Sequence, residues 1–279
     1  MSMRVGGKNT GPLSSLRNAA ENRAEEKKSL EKLSSGKRIN QAADDAAGLA
    51  MAEKLGAALR GLEQGMENVY DGLSMIETAE AGLGSTSDQL GRMRELAVSA
   101  ASDTLSSGQR DAIQAEFASL SAEIDRTAAS TEFNGQRLLD GSAGEVDISL
   151  GHSAGSEPDA IAMDLSHNMD TASLGLASTN LDGANGSSAR AALEDIDNAL
   201  AAVSSQRAEF GGTANRLMSA QQGLAVTTEN TYASRSRIMD TDYAQETAEL
   251  TRRQILSRAG DAVTVQGRLI PSSVMNLLK

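Results

Sequence analysis

The sequence has 279 residues, 26 Lys plus Arg against 38 Asp plus Glu, and a formal net charge of −12. Three Tyr, three Phe and no Trp argue against a sizeable ligand pocket, which aromatic and bulky apolar side chains usually line, and the lack of Cys removes disulfides, thiolate catalysis and cysteine-held metal clusters. The acidic balance, with no dense Lys/Arg cluster, disfavours nucleic acid and anionic membrane surfaces.

The stretch from Met1 to Lys28 contains no apolar run of the kind a cleavable secretory signal needs. No stretch approaches the roughly 18 apolar residues of a membrane span, so membrane insertion is not expected. The first predicted helix carries Leu13, Leu16, Ala20, Leu30 and Leu33 and stops at Ser34-Ser35-Gly36, where Gly suits a left-handed cap. Arg23 and Lys27 interrupt its seam.

A second helix is predicted to start at Asn40, with Asp44 and Asp45 in its first turn, and to run to about Ala100. Leu55, Leu59, Leu62, Met66, Val69, Leu73, Ile76, Leu83 and Leu90 follow a 4-3 spacing, broken only at Glu80 and Ser87. The residues between are polar, so the apolar stripe reads as narrow and in need of partner helices. At 1.5 Å per residue this helix would span about 90 Å, which predicts an elongated rod. Gly56, Gly61, Gly65 and Gly72 lie inside it, each costing about 1 kcal/mol relative to Ala. Two readings stay open for them: close backbone packing, or a softened helix able to shear between packings.

Ser106 followed by Gln109 resembles a capping box, and Ile113, Phe117, Leu120 and Ile124 resume the seam in a third helix that packs back on the second. Val146, Ile148 and Leu150, then Ile161, Met163 and Leu165, alternate with polar residues and predict a β-hairpin. Asp170 to Ser188 reads as loop, with no second core. Leu193, Ile196, Leu200, Val203, Phe210, Ala214, Leu217 and Leu224 form another heptad helix, broken at Arg207 and Gln221. From Asp240 onward, Leu250, Ile255, Leu256, Ala259, Val263, Leu269, Ile270, Val274, Leu277 and Leu278 are too apolar for a solvated tail, so something should cover them.

No constellation carries chemistry. His152 and His167 flank the hairpin without the partners of a metal site. Asp240-Thr241-Asp242 opens like a calcium loop, but Gln245 stands where Gly is required and Thr251 where Glu is required. Ser34 and Lys37 have the spacing of a serine acylase without the rest of that site, and Gly7-Lys8 lacks a phosphate loop. No catalytic residue, metal or cofactor is assigned.

Several stretches resemble bacterial flagellins. LEKLSSGKRINQAADDAAGLAMAEKL (Leu30 to Leu55), GRMRELAVSAASDT, the IQAEF to LLDG segment, ASRSRIMDTDYAQETAELTRRQIL and the terminal PSSVMNLLK are similar to the family's two end signatures. The resemblance implies a mainly α fold: an antiparallel coiled-coil rod with a small β-hairpin and paired N- and C-terminal helices. It implies terminal segments 1–39 and 240–279 in an inner tube, with 40–191 and 192–239 in the surrounding rod. Only about 50 residues separate the helical halves, which implies a short subunit without outer domains.

The function implied is self-assembly into the flagellar filament, the propeller of swimming. Leu13, Leu16, Leu30, Leu33, Leu250, Ile255, Leu256, Val263, Leu269, Val274, Leu277 and Leu278 would form the filament interface, and the seam residues of the three long heptads the rod core. Implied partners are further copies of the chain, a flagellar export chaperone, and hook-associated junction and cap proteins. The implied location is extracellular, reached by type III export without a cleavable signal. Resemblance also implies contact with the host toll-like receptor for flagellin through Arg92, Leu96 and Glu116, although Gly91 stands where receptor-stimulating members commonly carry Gln. A hook-filament junction protein and a coiled-coil scaffold outside motility are the alternatives; the first should match both signatures less fully, and the second should stop at a small oligomer.

Overall fold

The computed structural model describes residues 11–151, 159–181 and 187–277, and their side chains except at 11–13, 15 and 266–277. Among the described residues there are five helices, α1 (Gly11–Ser35), α2 (Ala46–Ala100), α3 (Ser107–Ser130), α4 (Ser187–Met239) and α5 (Tyr243–Leu277). Strands β1 (Glu132–Phe133) and β2 (Gln136–Arg137) pair antiparallel, as do β3 (Gly144–Ser149) and β4 (Ala160–Leu165). No described helix is long and apolar enough to cross a membrane. The described residues fall into two compact units that divide at Ala57/Ala58 and at Glu229/Asn230, inside α2 and α4.

The unit spanning Ala58 to Glu229 holds the larger core. Along α2, Leu62, Val69, Ile76, Leu83 and Leu90 are buried at intervals of seven, and along α4 so are Ala189, Ile196, Val203, Phe210, Leu217 and Leu224. Leu59, Phe117 and Ile124 are buried as well, whereas Met66, Leu73, Ile113, Leu120, Leu193 and Leu200 are half-buried. Full burial of such a side chain stabilises by about 1.5–3 kcal/mol, so the seven-residue line is the principal apolar contribution of each helix.

The stripe on α2 is wider than its sequence suggests. A second line, Gly65, Gly72, Ala79, Thr86, Met93 and Ala100, is also buried. Its residues are mostly small, and two of the glycines are explained by what they touch. A Cβ on Gly65 would lie 2.0 Å from the Leu150 carbonyl oxygen, and one on Gly72 would lie 2.5 Å from Ile148 Cδ1. The β3–β4 hairpin and the residues just beyond β3 therefore rest directly on the α2 backbone, which favours the close-packing reading.

In the β3–β4 hairpin Val146 faces Met163 and Ile148 faces Ile161, and Ile148, Ile161, Met163 and Leu165 are buried. The predicted alternation thus places one face on the helices. At the start of α3, the Ser106 N–H donates to Gln109 Oε1 at 2.9 Å, the reciprocal arm of a capping box.

The start of α2 differs from expectation, and two further features were not expected. Helix α2 begins at Ala46 rather than Asn40: Asp45 Oδ1 accepts the Gly48 N–H at 2.9 Å as a cap, and Asp44 folds back on the preceding turn, accepting from the Asn40 and Gln41 N–H groups at 3.1 and 3.2 Å. The β1–β2 hairpin has Asn134 and Gly135 as its two turn residues, at φ 52° and 79°, the pairing that a two-residue hairpin favours. The loop after β4 is part of the core, because Met169, Leu174, Leu176 and Leu181 are buried with the helical residues. Asp125 holds that loop down by accepting the Thr171 N–H and hydroxyl at 2.9 and 2.8 Å.

Candidate functional site

The unit containing both chain ends is built differently. Helices α1 and α5 run antiparallel, matched by Leu33 with Tyr243, Glu25 with Arg253 and Arg23 with Asp261. The buried face of α1 is small and partly polar: Ala19 and Ser29 are buried, while Leu16 and Leu30 are 46% and 48% exposed. Small residues let the helices approach with the leucines left outside, and polar pairs then fix the register. Arg23 meets Asp261 at 2.7 Å; Arg253 bridges Glu25 at 2.7 Å and Glu249 at 2.9 Å; the Tyr243 hydroxyl donates to the Leu33 carbonyl at 2.5 Å. Arg252, next in line, also pairs with Glu249 and with Arg253 holds that carboxyl below the usual glutamate range.

A clasp closes one end of this pair. Gly36, at φ 67°, ends α1 in the left-handed conformation. The chain then pairs with the segment between α4 and α5: the Arg38 N–H donates to the Met239 carbonyl at 2.6 Å, and the Thr241 N–H to the Gly36 carbonyl at 3.1 Å. Ile39, Ala52 and Met239 form a small buried cluster under the clasp, with Leu49 beside it. Lys28 bridges Asp44 at 2.9 Å. That bond, with the backbone N–H groups of Asn40 and Gln41, depresses the Asp44 pKa and raises that of Lys28. Asp242 caps α5 by accepting the Ala244 and Gln245 N–H groups, so the segment that opens like a calcium loop is a helix start. The Ser34 to Lys37 spacing is likewise a helix end.

The expected filament residues divide by exposure. Leu16, Leu30, Ile255, Leu256 and Val263 are exposed, Ile255 and Val263 at 62% and 59%; Leu33 and Leu250 are half-buried. The side chains of Leu13, Leu269, Val274 and Leu277, and all of Leu278 and His152, lie outside the described residues. Two further aliphatic residues of this unit, Met51 and Val265, are exposed. An open groove of about 390 Å³ runs along the pair, lined by Leu16, Ala19, Ala20, Arg23, Asp261, Thr264 and Val265. Leu55 is half-buried in this unit, apart from the other predicted core residues.

Of the three expected receptor residues, the fold brings two together. Arg92 donates to Glu116 Oε1 from Nε at 3.0 Å and from Nη2 at 2.8 Å, and to Glu95 at 2.8 Å, on the exposed surface where α2 meets α3. Leu96 does not join them: it is 6% exposed and belongs to the core. Four residues beyond Arg92 and so on nearly the same side of α2, position 96 borders the packed face, beside the buried Met93 and Ala97.

The unit holding both chain ends thus presents exposed aliphatic side chains on two paired helices. Known proteins identify the family. The model of the bacterial flagellin N-terminal helical region matches residues 8–144, and that of the bacterial flagellin C-terminal helical region matches residues 193–278. The chain is similar to a flagellin of Halalkalibacterium halodurans, 39% identical with 97% of this chain and 98% of that one covered. It is also similar to flagellin FlaB1 of Treponema pallidum, 36% identical over 90% and 92% of the two chains. Among solved structures, the crystal structure of Bacillus cereus flagellin shares 31% identity and a TM-score of 0.50, covering 57% of this chain and 88% of that one. A putative flagellar hook-associated protein from Vibrio parahaemolyticus shares the fold, with a TM-score of 0.59 at 16% identity over 71% of this chain and 100% of that one. The chain belongs to the bacterial flagellin family and is a structural subunit of the flagellar filament, not an enzyme.

Proposed function

We propose that the subunit polymerises through the α1/α5 pair, and that its apolar residues are covered by other copies of the chain. The observation that carries this reading is the exposure of Leu16, Leu30, Ile255, Leu256 and Val263 on helices already locked together by ion pairs. The pair has satisfied its own polar contacts and still presents a line of aliphatic side chains to water. Such a face gains free energy only from another molecule. In this reading the contact is head-to-tail, and a head-to-tail contact that does not close into a ring builds a helical fibre. Segments 1–39 and 240–279 then form the inner layer of the filament, and 40–191 with 192–239 the layer around it.

The remaining roles follow the family. The subunit leaves the cell unfolded through the flagellar type III apparatus, with a cytoplasmic chaperone on its C-terminal segment, and meets hook-associated junction and cap proteins at the two ends of the filament. A chain without cysteine crosses into an oxidising exterior with no pairing to make. Arg92 and Glu116 supply a charged contact for the host toll-like receptor.

The test is seeded growth of filaments from depolymerised protein, followed by electron microscopy. Ile255→Lys places a charge on a residue 62% exposed, so the free subunit should keep its circular dichroism and lose elongation. Elongation at the unaltered rate would sink the reading.

A further inference from the structure

The geometry points to Asn134 as a site of spontaneous deamidation: we propose that the folded subunit converts Asn134 to aspartate and isoaspartate through a cyclic imide formed with the Gly135 backbone nitrogen. This rests on the β1–β2 hairpin and is independent of how the subunit assembles.

Both reacting groups are available. Asn134 and Gly135 are exposed, and they lie between the Phe133↔Gln136 pair at the tip of the hairpin, outside the ladder. Among the described residues neither the Asn134 side chain nor the Gly135 N–H has a hydrogen-bond partner. Gly135 offers no steric shield, and even a Cβ built there would meet nothing within 4 Å. The turn is also weakly held. Each strand is two residues long, and a two-stranded hairpin of that size is marginal by itself, so its tip opens by local fluctuation. Opening frees ψ and χ1 of Asn134, the two torsions that set the distance from Gly135 N to Cγ.

The steps balance without any outside reagent but water. The Gly135 nitrogen loses its proton and bonds to Asn134 Cγ; the Cγ–Nδ2 bond breaks and ammonia leaves. Water then opens the five-membered imide at either carbonyl, giving an aspartyl or an isoaspartyl peptide. Nothing is oxidised or reduced. Because the attacking nitrogen must shed a proton, the rate rises with pH.

The position gives the reaction a consequence. An aspartate adds charge two residues from Glu132, and an isoaspartate lengthens the main chain inside a two-residue turn. Just beyond β2, Leu138 and Leu139 are each 1% exposed and part of the main core, and the Leu138 N–H donates to the Thr131 carbonyl at 3.0 Å across the hairpin. A register change at the tip is therefore felt by two core leucines.

The experiment ages the intact folded chain at neutral and alkaline pH and maps tryptic peptides by mass spectrometry. Cleavage after Arg126 and Arg137 isolates Asn134 as the sole asparagine of its peptide, and Asn198, exposed within α4 and followed by Ala199, serves as the internal reference. Faster conversion at Asn134 than at Asn198, growing with pH, and split between two products of equal mass, is the expected result. In Gly135→Asp, which keeps a residue tolerant of positive φ, conversion at Asn134 should fall to the Asn198 level. If Asn134 is no faster than Asn198 in the native chain, the proposal is overturned, and fast conversion in urea alone overturns it equally, because the hairpin then protects the site.

Discussion

Glu80 and Arg207 stand 127 residues apart, each at a position where the heptad of its own helix is broken, and they meet: Arg207 Nη2 lies 2.7 Å and Nε 2.8 Å from Glu80 Oε1. Two interruptions that look like flaws when each helix is read alone are one ion pair between α2 and α4. The side chains are 38% and 42% exposed, so the pair contributes little stability, about 0.2–1 kcal/mol. Its larger effect is on alignment, because a one-heptad slip would separate the two charges.

Glu80→Ala and Arg207→Ala should therefore each shift the denaturation midpoint slightly, and the double variant should lose less than the sum. A double-mutant cycle in urea is expected to return a coupling of about 0.5 kcal/mol. A coupling indistinguishable from zero would remove the pair from the account of α2–α4 alignment.

Core truncation should be far more costly. Phe210 is 1% exposed on the buried line of α4, and Phe210→Ala should destabilise by about 3–5 kcal/mol through lost transfer energy and the cavity left behind. Half-buried Leu200, on the same helix, is the comparison: its truncation should cost visibly less. Equal losses at both positions would contradict the burial pattern.

Glycines of α2 should respond with opposite signs. At Gly65 a new methyl would press on the Leu150 carbonyl, with backbone on both sides, so Gly65→Ala should lower stability by about 1–3 kcal/mol. Gly91 has nothing within 4 Å of the corresponding position, and there alanine should raise stability by roughly 0.4–1 kcal/mol through helix propensity and a less flexible unfolded chain. Thermal melts of the two variants test this directly.

The clasp should be acid-sensitive. Lys28 first, and then the backbone N–H groups of Asn40 and Gln41, depress the Asp44 pKa. A carboxyl whose folded pKa lies below its unfolded one contributes fully above the ordinary carboxylate range and loses that contribution as pH falls through the depressed value. For Lys28 the shift is upward, so its contribution is present below the ordinary lysine range and lost as pH rises through the raised value. The protection factors of the Arg38 and Thr241 amides against hydrogen exchange should thus be flat around neutrality and fall in acid. Asp44→Asn should flatten the acid limb; an unchanged limb would place the sensitivity elsewhere.

Much of this protein could be read along the chain. Heptads from Leu62 to Leu90 and from Ile196 to Leu224 carry their burial in their spacing, because a helix exposes the same face every seven residues. The capping box at Ser106 and the alternation of β3 and β4 are equally local. The family signatures at both ends disclosed the function, and the aliphatic residues beyond Asp240 include the exposed Ile255, Leu256 and Val263. Other features depend on what lies opposite. Gly65 and Gly72 belong to a buried face only because the hairpin rests on them, Leu174 and Leu181 enter the core only because Asp125 and Gln114 hold their loop in place, and Leu96 turns inward while Arg92 and Glu116 pair outside. Local spacing determines which side of an element is apolar; contacts between residues far apart in the chain decide how wide that side is and which charges meet across it.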